Sequence, residues 1–237
     1  AHPAPRATYT CTVPPCRAIR VQKEYESVSE QQMKNTGSGI ILAGGLTTRF
    51  SGKEKAFLTT DGERIVDRLY RIFREMFEEI IVVTNDPIKF LDWDAHIVTD
   101  LFPVRSSLTG IHAGLFHSRT PYAFFAACDI PFLKKEVVES VIGAITPDID
   151  AVIPETAAGF EPLCAAYSTR CLENVRRHLT KYRLKIQLFL KKMHVRTIPE
   201  ERLRRLDPQL ISFFNINSPA DMARAEALHG AKSARDR

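Results

Sequence analysis

The 237-residue sequence contains no apolar run as long as the roughly 18 residues that a membrane-crossing helix requires. Its opening stretch, AHPAPRATYTCTVPP, lacks the apolar centre of a secretory signal. Retention in the cytoplasm is therefore expected, with no membrane partner. Cysteine is scarce and odd in number, five in a chain too long to need a disulfide framework. Cys128 and Cys164 stand in apolar runs and read as small core residues. Cys11 and Cys16 have the wrong spacing for a zinc half-site. The overall charge is not strongly one-sided either. A net charge of +5 suits a small anionic substrate and is too weak to point to nucleic acid. Two familiar phosphate-binding patterns are missing as well: there is no G-x-x-x-x-G-K-[ST] and no G-x-G-x-x-G.

What is present is an alternation of strand-like and helix-like segments. Residues 1–36 are rich in Pro, Ser, Thr and Gln without sustained periodicity, and read as a disordered or loosely packed extension. Met33 stands just before the first strand as a candidate start of the functional part. Residues 37–231 read as one α/β domain, and 232–237 as a frayed tail. Ile40–Ala43, Ile80–Thr84, His96–Thr99, Tyr122–Cys128, Ala151–Ile153, Leu163–Tyr167 and Val195–Ile198 are the expected strands. Helices are expected around Ile65–Met76, Leu108–Phe116, Lys134–Ile145, Thr169–Leu179 and Leu184–Met193. A last helix opens at Ser218-Pro219, with Ser as cap and Pro in the first turn. Phe213–Asn217 is a strand or a loop. The pattern predicts a mostly parallel central sheet with helices on both faces.

In such sheets ligands bind at the carboxyl ends of the strands, and four chemically loaded segments fall there. The first is LAGGLTTRFSGKEK, Leu42 to Lys55. Gly44 and Gly45 allow a tight turn and close backbone approach. Their amides, with those of Leu46 and Thr47, suit an anion-binding concavity. Arg49, Lys53 and Lys55 add positive charge, so the loop fits a triphosphate. The others are Asn85, Asp100 and Asp129, each just past a strand. Asp129 follows a run of apolar residues and precedes Ile130-Pro131. A rigid carboxylate there suits Mg²⁺, which takes one or two carboxylates together with phosphate oxygens. An ordinary turn or helix-cap role is the alternative for Asp129, and equally for Asp100.

These segments resemble a known family. LAGG-x-[ST]-x-R-x-x-G-x-x-K resembles the signature of the molybdenum cofactor guanylyltransferases, the MobA-like nucleotidyltransferases. Val98–Asp100 with Ser107–Gly114, then Ala127–Pro131, Glu161–Ser168 and Phe214–Asp221 resemble the same family in the same order. The resemblance implies a Rossmann-like nucleotidyltransferase fold, α/β, with a nucleotide-binding N-terminal part and an acceptor-binding C-terminal part. It implies transfer of GMP from GTP to molybdopterin with release of pyrophosphate and a requirement for Mg²⁺. It places nucleotide contacts at Leu42, Ala43, Gly44, Lys55, Asn85 and Asp100, with Gly45 and Asp129 beside them. Lys55, Arg49 and Asp129 form the implied catalytic set. Asp129 is the implied metal ligand, and Asn217, in an Asn215-x-Asn217 match, is a second candidate. The partners implied are GTP and molybdopterin, with proteins that deliver molybdopterin or mature molybdoenzymes as further candidates. The chain departs from the family at Phe50-Ser51, where Met-Gly is usual, and at Ser106-Ser107, where Gly-Pro is usual. A relative using CTP or a sugar-phosphate acceptor, and a non-catalytic GTP-binding module, are the alternatives.

One further stretch is strongly basic: RRHLTKYRLKIQLFLKK, Arg176 to Lys192. Leu179, Leu184, Leu188 and Phe189 are expected to pack while the cations stay wet. The alternative is a patch for an anionic acceptor or for a partner that hands it over.

Overall fold

The computed structural model describes residues 37–44, 49–50, 53–54, 57–60 and 62–233. Residues 1–36, 45–48, 51–52, 55–56, 61 and 234–237, which include Gly45, Leu46, Thr47, Ser51 and Lys55, lie outside the described residues. An eight-stranded sheet organises the rest. Its strands are β1 (Ser38–Leu42), β2 (Glu79–Val83), β3 (His96–Val98), β4 (Tyr122–Ala127), β5 (Ala151–Thr156), β6 (Gly159–Phe160), β7 (Cys164–Ser168) and β8 (Val195–Pro199). The spatial order is β6-β5-β7-β4-β1-β2-β3, with β8 beside β5. Two small two-stranded sheets precede the first helix. One pairs Arg49–Phe50 with Lys53–Glu54, the other Thr59–Thr60 with Glu63–Arg64.

β1 pairs in parallel with β2 and β4, β2 with β3, and β5 with β8. The sheet is therefore mixed but mostly parallel, as the alternation predicts. β7 is the difference: it runs antiparallel between β4 and β5. A parallel return needs a crossover of a dozen or more residues. The chain between Thr156 and Cys164 is too short for that, so it turns back through β6. Gly159, at φ +120°, makes that turn possible.

The helices are α1 (Ile65–Met76), α2 (Ser107–His117), α3 (Lys135–Ile142), α4 (Leu172–Thr180), α5 (Ile186–Leu190), α6 (Glu200–Leu206) and α7 (Pro219–Ser233). Side chains alternate across the sheet at the period of a strand. Ile41, Val82, Phe124 and Ala126 pack with Val66, Leu69 and Phe73 of α1 and Val137, Val138 and Val141 of α3. Ile40, Ile81, Ala123 and Phe125 pack on the other face with Leu108, Ile111 and Leu115 of α2 and with Val175 and Leu179 of α4. The α2 contact is close because the helix presents glycine to the sheet. A Cβ at Gly114 would lie 2.7 Å from both Ile40 Cδ1 and Phe125 Cε1.

Several expected boundaries shift. The helix expected from Thr169 begins with a 3₁₀ turn at Thr169–Cys171. The helix expected over Leu184–Met193 is only Ile186–Leu190, and Leu188 is exposed rather than packed. Tyr182, in the left-handed region at φ 52°, breaks the basic stretch in two. Arg176 and Arg177 turn back to Glu173 at 2.7 and 3.1 Å, while Lys181, Arg183, Lys185, Lys191 and Lys192 are exposed. Exposure of these cations is common to both readings of the stretch. α6 has no counterpart in the expected elements. Phe213–Asn217 is no strand: a 3₁₀ turn, Ile211–Phe213, leads into an irregular segment.

Candidate functional site

The register of the sheet explains why the site lies where it does. Leu42 of β1 pairs with Val83 of β2 and with Ala127 of β4, and Val83 pairs with Val98 of β3. These four last residues form one row. The ladder carries on for one more step. Ala43 N donates to Val83 O at 2.8 Å, Thr84 N to Val98 O at 2.9 Å, and Cys128 N to Leu42 O at 3.1 Å. Two positions past the row stand Gly44, Asn85, Asp100 and Asp129. Four neighbouring strands thus deliver four of the expected residues to one edge, in the spatial order Asp100, Asn85, Gly44, Asp129. At about 4.8 Å per strand, the row runs about 14 Å from Asp100 to Asp129, long enough for a nucleoside and its first phosphates to lie along it.

Local contacts set each side chain. Leu42 is buried and Ala43 partly so, which fixes the start of the loop; Gly44 is exposed. A Cβ at Gly44 would sit 3.2 Å from Asn85 Nδ2, so the bare backbone leaves that amide room. Asn85 is exposed. Its side chain hydrogen-bonds the half-buried carboxyl of Asp100. Burial raises the Asp100 pKa above the ordinary carboxylate value, and Asn85 and the charge of Arg105 hold it partly back. Beside them α2 begins with Ser106 as its cap: Thr109 N donates to Ser106 Oγ at 3.2 Å, and Thr109 Oγ1 to Val104 O at 2.8 Å. Ser106 therefore starts this helix.

Asp129 lies in the turn after β4, and its Oδ1 is shielded from solvent. Its backbone oxygen accepts from Ile216 N at 2.9 Å. That bond brings the Asn215–Asn217 segment to the Asp129 turn, although 86 positions separate Asp129 from Asn215. The segment is fixed from below, where Ile216 is fully buried with Leu58, Ile65, Phe132 and Ala225. After it, Asp221 Oδ2 accepts from Asn217 N at 3.1 Å and Ser218 N at 2.9 Å, while Asp221 N donates to Ser218 Oγ at 3.2 Å. This reciprocal cap starts α7. Asn215 Nδ2 donates to Phe213 O at 3.1 Å, and Asn217 is exposed beside the turn.

A buried ion pair holds the same two segments together, and motif reading missed it. Lys134 Nζ lies 2.9 Å from Asp207 Oδ1, and Asp207 is fully buried. Asp207 Oδ2 accepts from Ser212 N at 2.8 Å, and Ser212 Oγ accepts from Lys134 N at 3.2 Å. An aspartate closing an amphipathic helix, just before Pro208, was the available signal.

Of the expected site residues, Leu42, Ala43, Gly44, Asn85, Asp100, Asp129 and Asn217 are brought to this edge. Arg49 belongs to the first small sheet, its backbone paired with that of Glu54. Gly45 and Lys55 lie outside the described residues. Among the described residues there is no cluster of three His, Cys, Asp or Glu side chains to hold a metal. An all-protein cage is therefore not formed by them. One rigid carboxylate at a strand end fits Mg²⁺ that takes its remaining ligands from phosphate and water.

No helix among the described residues is long and apolar enough to cross a membrane. The model of the MobA-like NTP transferase domain matches residues 39–197. A molybdenum cofactor guanylyltransferase from Desulfosudis oleivorans is 48% identical over 190 residues, 80% of this chain and 94% of the relative. A probable molybdenum cofactor guanylyltransferase from Natranaerobius thermophilus is 33% identical over 84% of this chain and 98% of its own length. Among solved structures, molybdopterin-guanine dinucleotide biosynthesis protein A from Archaeoglobus fulgidus superposes with a TM-score of 0.72 at 31% identity, covering 82% of this chain and 99% of that one.

Proposed function

The chain belongs to the MobA-like NTP transferase family, and from that premise we propose that it transfers GMP from GTP to molybdopterin, releasing pyrophosphate. The observation that carries this reading is the single row of Asp100, Asn85, Gly44 and Asp129 at the carboxyl edge of the sheet, in a chain 48% identical to a guanylyltransferase. A phosphate oxygen of molybdopterin attacks the α-phosphorus of GTP, one P–O bond forms, and the bond to the β-phosphate oxygen breaks. The attacking phosphate monoester is already an anion at neutral pH, so no general base is needed. The protein's task is to position the reactants and offset negative charge.

In this reading the amides from Ala43 onward cradle the phosphates, with Lys55 and Arg49 set against the charge that moves toward pyrophosphate. Asp129 would hold Mg²⁺, with Asn217 beside it. Bound there, Mg²⁺ neutralises charge on the phosphates. Asp100, oriented by Asn85, accepts from the paired N1–H and N2–H donors of guanine, which cytosine lacks. A reaction that consumes GTP belongs in the cytoplasm, where GTP is made. Proteins that supply molybdopterin or take up the product are the partners this reading implies.

The test is product identity. Incubation with GTP, Mg²⁺ and molybdopterin should give the guanine dinucleotide by mass spectrometry. A cytosine dinucleotide from CTP instead, or no product from either nucleotide, would overturn the proposal. Asn217→Ala should raise the Mg²⁺ concentration needed for half-maximal rate, and an unchanged requirement would remove Asn217 from the metal site.

A further inference from the structure

Helix α1 opens directly after the small sheet that pairs Thr59–Thr60 with Glu63–Arg64, and its first turns face two ways. Val66 and Leu69 pack against the central sheet, while Ile65 is buried with Leu58, Phe132, Ile216 and Ala225. Arg68 stands three positions after Ile65, on the same side of the helix. Its side chain is only 17% exposed, and its guanidinium donates to two separate segments. Nε donates to Glu63 Oε2 at 3.0 Å, and Nη1 donates to Pro131 O at 3.2 Å.

These are the segments that adjoin two of the expected charged groups. Glu63 pairs with Thr60 in a hairpin that begins four positions after Lys55. Ile65 N donates to Leu58 O at 3.0 Å, which closes that hairpin onto the start of α1. Pro131 stands two positions after Asp129. Phe132, the next residue, is buried with Leu58 of the hairpin, and the Asp129 carbonyl is held separately by Ile216 N at 2.9 Å. A guanidinium suits such a junction because its donors lie in one rigid plane, so satisfying Glu63 with Nε sets where Nη1 points. A lysine ammonium fixes no angle between the two acceptors.

We propose that Arg68 is a positioning residue for phosphate transfer: it locks the Asp129 turn to the hairpin that follows Lys55, so that carboxylate and cation act on one polyphosphate at a fixed separation. Arg68 acts through these two segments and not on the substrate itself. The identity of the reaction rests on the guanylyl-transfer reading above; the link rests on the two hydrogen bonds and on the packing of Leu58, Ile65 and Phe132 beneath them. In a reaction that needs no general base, the relative placement of charged groups is most of what the protein contributes, and a bond that holds two of their segments together bears on the rate more than on the binding of the base.

The test compares Arg68→Met and Arg68→Lys with the unmodified full chain. Methionine keeps the apolar stem, and Glu63 keeps Arg71 Nη2 at 3.2 Å, so its carboxylate is not stranded. With GTP, Mg²⁺ and molybdopterin, Arg68→Met should lower kcat by about tenfold to a hundredfold, the cost of misplacing reacting groups by about 1 Å, while KM for GTP barely changes. Arg68→Lys should melt close to the unmodified protein yet keep most of the turnover defect, which a residue needed only for stability would not do. A second readout needs no turnover: calorimetry of GTP binding with and without Mg²⁺. Mg²⁺ should tighten GTP less in Arg68→Met than in the unmodified chain, with equal affinities when Mg²⁺ is left out. Equal tightening in the two proteins, near-normal kcat in Arg68→Met, or kcat restored together with melting temperature in Arg68→Lys, would overturn the assignment. If no guanine dinucleotide forms at all, the transfer reading fails by its own product, and the calorimetric comparison still decides the role of Arg68.

Discussion

Replacing Lys134 by methionine keeps most of its length and apolar bulk but removes the charge that faces Asp207. The consequence can be worked from the geometry. Asp207 is fully buried, and its Oδ1 lies 2.9 Å from Lys134 Nζ. With the ammonium gone, the carboxylate keeps, among the described residues, the Ser212 N–H at 2.8 Å. Removing one partner of a buried pair costs about 3–5 kcal/mol. Lys134 is itself 28% exposed, so water already screens part of the attraction, and about 3 kcal/mol is the appropriate end of that range. For a chain of this size that is a fall of roughly 6–12 °C in melting temperature. Thermal unfolding followed by circular dichroism at neutral pH measures it. Pairing Lys134→Met with Asp207→Leu should recover much of the loss, because the stranded charge goes with its partner. A Lys134→Met protein melting within 1 °C of the unmodified one would refute the claim that this pair joins the Asp129 turn to the 207–217 segment.

Other consequences are as direct. Asp100→Asn should weaken GTP more than CTP, and equal losses would rule out reading of the base by Asp100. Burial places the Asp100 pKa above 3.8, so its carboxylate takes up a proton at a higher pH than an ordinary one does. GTP affinity should therefore fall as mildly acidic solution is made more acid, and Asp100→Asn should flatten that fall in a calorimetric pH series. Gly114→Ala puts a methyl group 2.7 Å from Ile40 and Phe125 inside a filled core; it should cost about 2 kcal/mol, roughly 4–8 °C in melting temperature. Lys55→Ala should lower turnover about a hundredfold at saturating GTP, and near-normal turnover would contradict its place at the phosphates.

Most strands were legible because strands buried on both faces read as continuous apolar runs, as in IIVV at Ile80–Val83 and YAFFAA at Tyr122–Ala127. Those runs end where the chemistry begins, and this made Asn85, Asp100 and Asp129 visible before their register was known. The direction of β7 was less visible, since Leu163–Tyr167 has the same composition whichever way it pairs; only the short link from Thr156 argues for a return strand. Helix α6 escaped because EERLRRL buries little, with Leu203 its one fully enclosed side chain. The Lys134–Asp207 pair and the alignment of Asn85, Asp100 and Asp129 with Gly44 are relations between distant segments. Neither a motif nor a periodicity carries them, whereas pairing register and burial do.

The measurement that bears most directly on the central claim is pyrophosphate release with molybdopterin and Mg²⁺, comparing GTP with CTP in the unmodified chain and in Asp129→Ala. The account predicts release with GTP, little with CTP, and loss of the GTP signal in the variant while GTP still binds. Release from CTP as fast as from GTP, or undiminished release by Asp129→Ala, would contradict it.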